Sequence, residues 1–197
     1  GKKVSIGIIA LVCLNLPIEE RYLPENMFLA GIIPGPHEPP LQSVNHYMRP
    51  LIDVLLLFWK GIFFSKTALY SLGRLIFCAL IAVICDLPAA RKFGGFASHR
   101  HEYFCSVCWC NGTEHTYNDF NYSSWKRRTN EDWRTHADAF RSAETLQQAN
   151  ISFDNSGLRW SELLRLPYFD PTKMLVVDPM HNLFLGLIKE HFQNILG

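Results

Sequence analysis

Apolar positions along this chain fall into short runs cut by Pro, Gly and charge, and the period of the runs changes along the sequence. Val4 to Leu16, VSIGIIALVCLNL, has no helical repeat and is stopped by Pro17, so it predicts a buried strand. A polar link, Ile18 to Asn26, leads to a second apolar run, Met27 to Ile33. Two strands joined by so short a link predict an antiparallel pair. Pro34 to Pro40, PGPHEPP, predicts a rigid turn, because Pro fixes φ and cannot donate to a ladder.

From Leu41 the period becomes helical: Leu41, Val44, Met48, Leu51, Ile52, Leu55, Phe58 and Trp59 recur at three- and four-residue steps. Pro50 is expected to break or kink this helix and Gly61 to end it. Ile62 to Gly73 reads as a loop or an edge strand. Leu75 to Cys85 is an unbroken run of eleven apolar residues and predicts a strand buried on both faces, with Asp86 at its carboxyl end. Asp86 carries two readings that can hold together. It can cap the helix opening at Pro88, or it can serve as a ligand at a strand end, where open α/β sheets meet metals and substrates. That helix, Pro88 to Phe93, is expected to stop at Gly94 and Gly95.

Past the cysteines, Asn111 to Asn130 is polar and aromatic without a period. Glu131 to Ala149 predicts one solvated helix with Trp133, Ala137, Phe140 and Leu146 near one face, and Ser156 to Leu166 another short helix. Met174 to Val177 is brief and apolar, and Asp178 with Pro179 is expected to cap a last helix, Met180 to Leu196.

At 197 residues, 48% hydrophobic and 19% charged, the chain has the composition of a globular domain, and a net charge of +1 gives no compositional argument for a polyanionic partner. The apolar runs Val4 to Leu14 and Leu75 to Cys85 are well short of the roughly twenty residues a membrane-spanning helix needs, so no membrane role is expected. No cleavable leader pattern is present, and the Asn111, Asn121 and Asn150 triplets are therefore chance matches to the glycosylation pattern. The chain reads as a piece of something longer.

Cys105, Cys108 and Cys110 are packed within six residues, which looks like metal chemistry in a reducing compartment rather than a disulfide framework. The two-residue spacing of Cys105 and Cys108 lets both sulfurs of one turn reach a tetrahedral zinc ion, half of a site. Cys110, His99, His101, His115, His181 and His191 are the candidates for the other half. Asp178 and His181 stand three apart at a helix start, where a cap with a surface His competes with a paired acid and imidazole. Trp125 to Arg128, WKRR, is a candidate phosphate contact or a solvated basic turn. No Gly-rich phosphate loop, GxSxG elbow or HExxH is present, so those enzyme classes lack support.

Four strings in one order, PENMFLAGIIPGPHEPP, RPLIDVLLLFWKG, CDLPAARKFGGFASHRHEYFCSVC and RWSELLRLPYFDPTKMLVVDPMHNLFLGLIK, resemble the Tnp2-type transposases of CACTA (En/Spm-like) DNA transposons in their basidiomycete form. The resemblance is weakest over Asn111 to Gly157. It implies an α/β fold: an RNase H-like mixed sheet flanked by helices, with a zinc-stapled, mainly helical insertion. Residues 1–98 would be the partial core, 99–173 the CxxC-containing insertion, and 174–197 the DxxH segment with its helix.

The implied function is metal-dependent DNA cleavage and strand transfer by three acids holding Mg2+ or Mn2+. Asp86 matches the family's second acid and is the catalytic and metal-binding candidate. Cys105 and Cys108 match its CxxC, and Asp178 with His181 its DxxH, so that His181 would complete the structural Zn2+ site. The first acid would lie upstream of residue 1 and the catalytic Glu downstream of DxxH, with Glu190 a weak match. This stretch alone is therefore expected to be inactive. DNA at transposon terminal repeats and a second copy of the chain are the implied partners, and the nucleus the implied location. The competing reading is a dead transposon remnant acting as a zinc-dependent DNA or protein binding module.

Overall fold

The computed structural model describes residues 6–36, 39–40, 43–113 and 121–196. Val4, Ser5, Leu41, part of the Pro34 to Pro40 turn and His115 lie outside the described residues. The chain divides into two compact units, Gly1–Leu51 and Ile52–Gly197.

In the first unit, β1 (Gly7–Val12) pairs antiparallel with β2 (Met27–Ile33), Gly7 facing Ile33 and Val12 facing Met27, with a register shift between Ile9 and Ala10. The link holds a single helical turn, α1 (Ile18–Arg21), and a 3₁₀ turn, Pro24–Asn26. Arg21 Nη2 ties it down by donating to Leu14 O (2.8 Å) and Leu16 O (3.0 Å). The helix α2 (Val44–Lys60) begins in this unit and runs on into the second. Pro50 does not break it. Losing one internal bond costs about 3 kcal/mol, whereas each fully buried apolar side chain contributes about 1.5–3 kcal/mol. Val44, Met48, Ile52 and Leu55 are all buried, so the stripe outweighs the proline.

In the second unit α2 stops at Gly61, whose φ of +96° only glycine adopts freely. The unassigned stretch after it is a hairpin, β3 (Ile62–Phe64) against β4 (Arg74–Ile76). The expected eleven-residue strand, Leu75 to Cys85, is not formed. Its first residues end β4, residues 77–82 are irregular, and only Val83–Cys85 is a strand, β5. The backbone finds other partners in between: Cys78 N–H donates to Phe58 O (3.2 Å) and Leu80 N–H to the Tyr168 hydroxyl (2.9 Å). Phe77, Ile81 and Ile84 are exposed, so apolar composition here does not mean burial.

Asp86 then caps α3 (Leu87–Gly94) by accepting the Ala89 N–H at 2.7 Å, and Gly95 ends it at φ +75°. The single helix expected over Glu131 to Ala149 is two: α4 (Asn130–Arg141) and α5 (Leu146–Ser156). Thr129 with Asp132 and Thr145 with Gln148 form two capping boxes, and the second restarts the chain as a new helix. Ser156 to Leu166 forms only a 3₁₀ turn, Glu162–Arg165.

A helical turn, α6 (Pro171–Met174), precedes β6 (Leu175–Val177), which pairs parallel with β5. The last segment winds as a π-helix over Met180–Ile188 and His191–Ile195, with no buried residue to tighten it. The core of this unit centres on Trp133, Ala137, Leu158, Leu163, Leu166 and Phe169.

The described residues therefore make a mixed α/β protein with three small sheets of two strands each. Among them no helix is long and apolar enough to cross a membrane.

Candidate metal centre

The site is built on a loop closed at its neck. Glu102 accepts the Thr113 N–H (3.0 Å) and hydroxyl (2.5 Å) through Oε1, and its carbonyl accepts the Gly112 N–H at 3.0 Å. A short antiparallel bridge aligns Cys108 of the loop with Arg127 of the following segment. Trp109 N–H donates to Lys126 O (2.8 Å) and Arg128 N–H to Val107 O (3.0 Å). This brings Cys105, Cys108 and Cys110 together, with all three sulfurs within 4.8 Å of one another. Cys108 and Cys110 are buried and Cys105 is half-buried; all three are free thiols.

The donor set suits zinc. Three thiol sulfurs are soft ligands, and the separations are 3.1 Å for Cys105 to Cys108 and 2.8 Å for Cys108 to Cys110. With Zn–S bonds of about 2.3 Å a tetrahedron spaces its sulfurs about 3.8 Å apart, so these two pairs have only to spread by ~1 Å or less. The turn aims two N–H groups, of Val107 and Cys108, at the Cys105 sulfur, each at 3.4 Å. These favour the thiolate, but burial dominates and the Cys105 and Cys108 thiols are pushed above their ordinary range. A bound cation is what would draw their protons off at neutral pH.

Two arginines flank the cluster. Arg91, on α3, donates through Nη2 to Phe104 O (3.1 Å), next to Cys105. Arg128 is buried, with its Nε directed at the carbonyls of Cys105 (3.0 Å) and Cys108 (3.2 Å) and its guanidinium over the Trp109 ring at 4.0 Å. Arg128 is therefore not a phosphate contact, and of the WKRR string only Lys126 and Arg127 present exposed cations. Trp109 is fixed in turn by its Nε1–H to Asp132 Oδ2 at 3.2 Å.

The segments that flank the loop are tied to α3 and its neighbours. Trp133 Nε1–H donates to Gly94 O (2.7 Å) and the Ser161 hydroxyl to Phe93 O (2.5 Å), while Ala97 N–H bonds to Gly157 O (2.8 Å). Gly157 must be glycine: its φ is +68°, and a Cβ there would stand 2.7 Å from Tyr103 O.

The sequence-predicted residues divide into two places. Cys105 and Cys108 are joined by Cys110, and neither Asp86 nor His181 belongs to that group. His99 is exposed, and His101 has its Nδ1 occupied by the Tyr103 N–H at 3.1 Å. Asp86 is exposed at the end of β5, and Asp178 follows β6, whose Val177 is in register with Cys85. Asp178 N–H donates to Cys85 O at 2.7 Å. The Cys85 thiol is pushed up to about 12 by burial first, then by the negative charges of Asp86 and Asp178. His181 Nδ1 lies 2.5 Å from Asp178 Oδ2, and Asp178 Oδ1 accepts the Met180 N–H at 2.8 Å, so Asp178 does cap the last segment.

Sequence reasoning did not find Arg128 as a buried partner of the cysteines or Glu102 as the neck of the loop. The tryptophan beside the third cysteine was the one signal in the sequence.

No curated protein and no solved structure matches the chain. A family model described as Transposase family tnp2 matches residues 2–158, a span that holds Asp86 and the three cysteines and stops before Asp178. With most of its length inside that match, the chain belongs to the tnp2 transposase family.

Proposed function

We propose that this chain is part of the catalytic core of a DNA transposase of CACTA type, in which Asp86 is one of the acids that hold Mg2+ or Mn2+. Divalent ions bound there supply Lewis-acid activation of the attacking and leaving oxygens in phosphodiester cleavage and strand transfer. The observation that carries the reading, beside the family match, is the parallel pair β5 and β6, each strand followed directly by an aspartate, Asp86 and Asp178. Acids at the carboxyl ends of neighbouring parallel strands are where α/β sheets bind ions, which supports an RNase H-like core.

Residues 1–98 would then be core, 99–173 the insertion and 174–197 the return to the core. Transposon terminal repeats would be the DNA partner, a second copy of the chain a further one, and the nucleus the place of action.

Within the insertion, Cys105, Cys108 and Cys110 would hold a structural zinc ion. Geometry favours Cys110 over His181 as the third donor, since the Cys110 sulfur is already 2.8 Å from Cys108 while His181 is bonded to Asp178. Zinc there would hold the closed loop against α3, because binding energy at a structural site is folding energy.

The test is an excision assay in cells using a tnp2 transposase that carries this stretch, native and with Asp86→Asn. Excision falling to background in the variant is the expected result, and excision at the native rate would overturn the catalytic role. One observation favours the non-catalytic alternative, a zinc-dependent DNA or protein binding module: Asp86 already has a structural task as the cap of α3.

A further inference from the structure

Arg128 is a buried cation beside the cysteine cluster, and among the described residues it forms no ion pair with a carboxylate. It is 5% exposed, and among the described residues every acceptor of its side chain is a backbone carbonyl: Cys105 O and Cys108 O from Nε, Ser156 O at 2.9 Å from Nη2. Its Nη1 is buried with no hydrogen-bond partner among the described residues. A guanidinium cannot discard its proton, so a buried one needs a counter-charge.

The carboxylate that acts on it, Asp132, is engaged elsewhere, through Oδ2 with the Trp109 Nε1–H (3.2 Å) and the Thr129 N–H (2.8 Å). Among the described residues the other charged groups nearby are Lys126, whose ammonium shares the Trp109 ring, and Arg91, which interacts with Cys105; both add positive charge. Tyr103, His101 and His136, on the neighbouring segments, are neutral at pH 7 in their ordinary forms. Among the described residues what remains, besides the charge of Asp132, is the cysteine cluster itself. With three neutral thiols Arg128 would face only the charge of Asp132, which forms no ion pair with it among the described residues. Three thiolates on one divalent zinc carry a net charge of −1, which one guanidinium balances.

We propose that Arg128 is the positioning residue and counter-cation of a zinc tris-thiolate formed by Cys105, Cys108 and Cys110. This rests on the zinc reading given above and deepens it. Two parts of the side chain act separately. The Nε–H fixes the backbone of the CxxC turn through two carbonyls, while the positive charge, spread over Trp109 on one side, stabilises the anionic cluster on the other. The same side chain ties the cluster to the carboxyl end of α5 through Ser156 O, where a cation is also favoured by the helix dipole. The charge is thus the part of Arg128 that zinc affinity depends on.

The experiment is a chelator-competition titration with zinc on the purified chain, native and with Arg128→Gln, Arg128→Lys and Asp132→Asn, with thermal melts of the zinc-loaded forms as folding controls. The native chain is expected to bind one zinc. Arg128→Gln, which keeps donors but loses charge, should bind it about 10- to 100-fold more weakly. Arg128→Lys, which keeps the charge, should stay within a few-fold of native, and Asp132→Asn should not weaken binding. Native affinity in Arg128→Gln, or a loss in Arg128→Lys as large as in Arg128→Gln, would overturn the counter-charge role while leaving the zinc reading intact. An Arg128→Gln chain too unstable to titrate leaves the decision to Arg128→Lys, whose failure to hold zinc would overturn the proposal. A native chain that binds no zinc would overturn the zinc reading itself.

Discussion

Asp178 donates its backbone N–H to the carbonyl of Cys85 at 2.7 Å, which closes the parallel pair β5 and β6 and sets two aspartates beyond neighbouring strand ends. The thiol of Cys85 registers both: after burial, the charges of Asp86 and Asp178 hold it protonated. In the sequence Asp178 reads as a helix cap and as the first residue of a DxxH string. The structure gives it a second neighbourhood, beside the candidate catalytic acid.

Asp86 has a capping task that can be separated from any metal task. Asp86→Ala removes the acceptor of the Ala89 N–H and should cost about 0.5–2 kcal/mol. Asp86→Asn keeps a good cap and should change stability by only a few tenths of that scale. Chemical denaturation of both variants checks this; an Asp86→Asn chain as unstable as Asp86→Ala would show that the charge itself supports the fold.

Asp178 is held below the ordinary carboxylate range, first by its hydrogen bond with His181 and then by the Met180 N–H. Because its folded pKa is depressed, its contribution to stability is present above the ordinary value near ~3.9 and is lost as pH falls through the folded value. His181→Ala should move the Asp178 titration upward toward the ordinary range, read from the side-chain carboxyl carbon by NMR. An unmoved titration would mean that the backbone N–H alone sets it.

Trp133 joins the insertion to α3 by both volume and a polar bond. It is 1% exposed and its Nε1–H meets Gly94 O at 2.7 Å. Trp133→Ala should cost about 3–5 kcal/mol through the cavity alone. Trp133→Phe retains most of the apolar contact but leaves a buried carbonyl unpaired, a cost of about 1–3 kcal/mol. Thermal unfolding of the two variants orders them, and equal costs would assign the whole effect to the hydrogen bond.

The parts of the fold that were legible in the sequence are those with local punctuation. β2 spans the predicted Met27 to Ile33, the helix after Asp86 stops at the predicted glycines, and the β1–β2 pair is antiparallel as the short link implied. What was not legible depends on distant partners. Leu75 to Cys85 reads as one buried strand because eleven apolar residues carry no mark of where Phe58 and Tyr168 will take its amides.

The break between α4 and α5 was visible in principle, in the Thr145 and Gln148 spacing of a capping box, and was masked by a continuous helical composition on both sides. At the site, the CxxC spacing pointed to metal, but the choice of a third donor did not follow from spacing. Cys110 lies too close in sequence to satisfy a simple two-plus-two pattern. It reaches the cluster only because the bridge of Cys108 with Arg127 and the Glu102–Thr113 neck fold the loop back on itself.

The most direct test of this account is the zinc content of the purified chain by elemental analysis, for the native sequence and for Cys105→Ser, Cys108→Ser, Cys110→Ser and His181→Ala. One zinc in the native chain, lost or sharply weakened in each cysteine variant and retained in His181→Ala, is the predicted result. Zinc retained in Cys110→Ser and lost in His181→Ala would contradict it and move the third donor to the DxxH string.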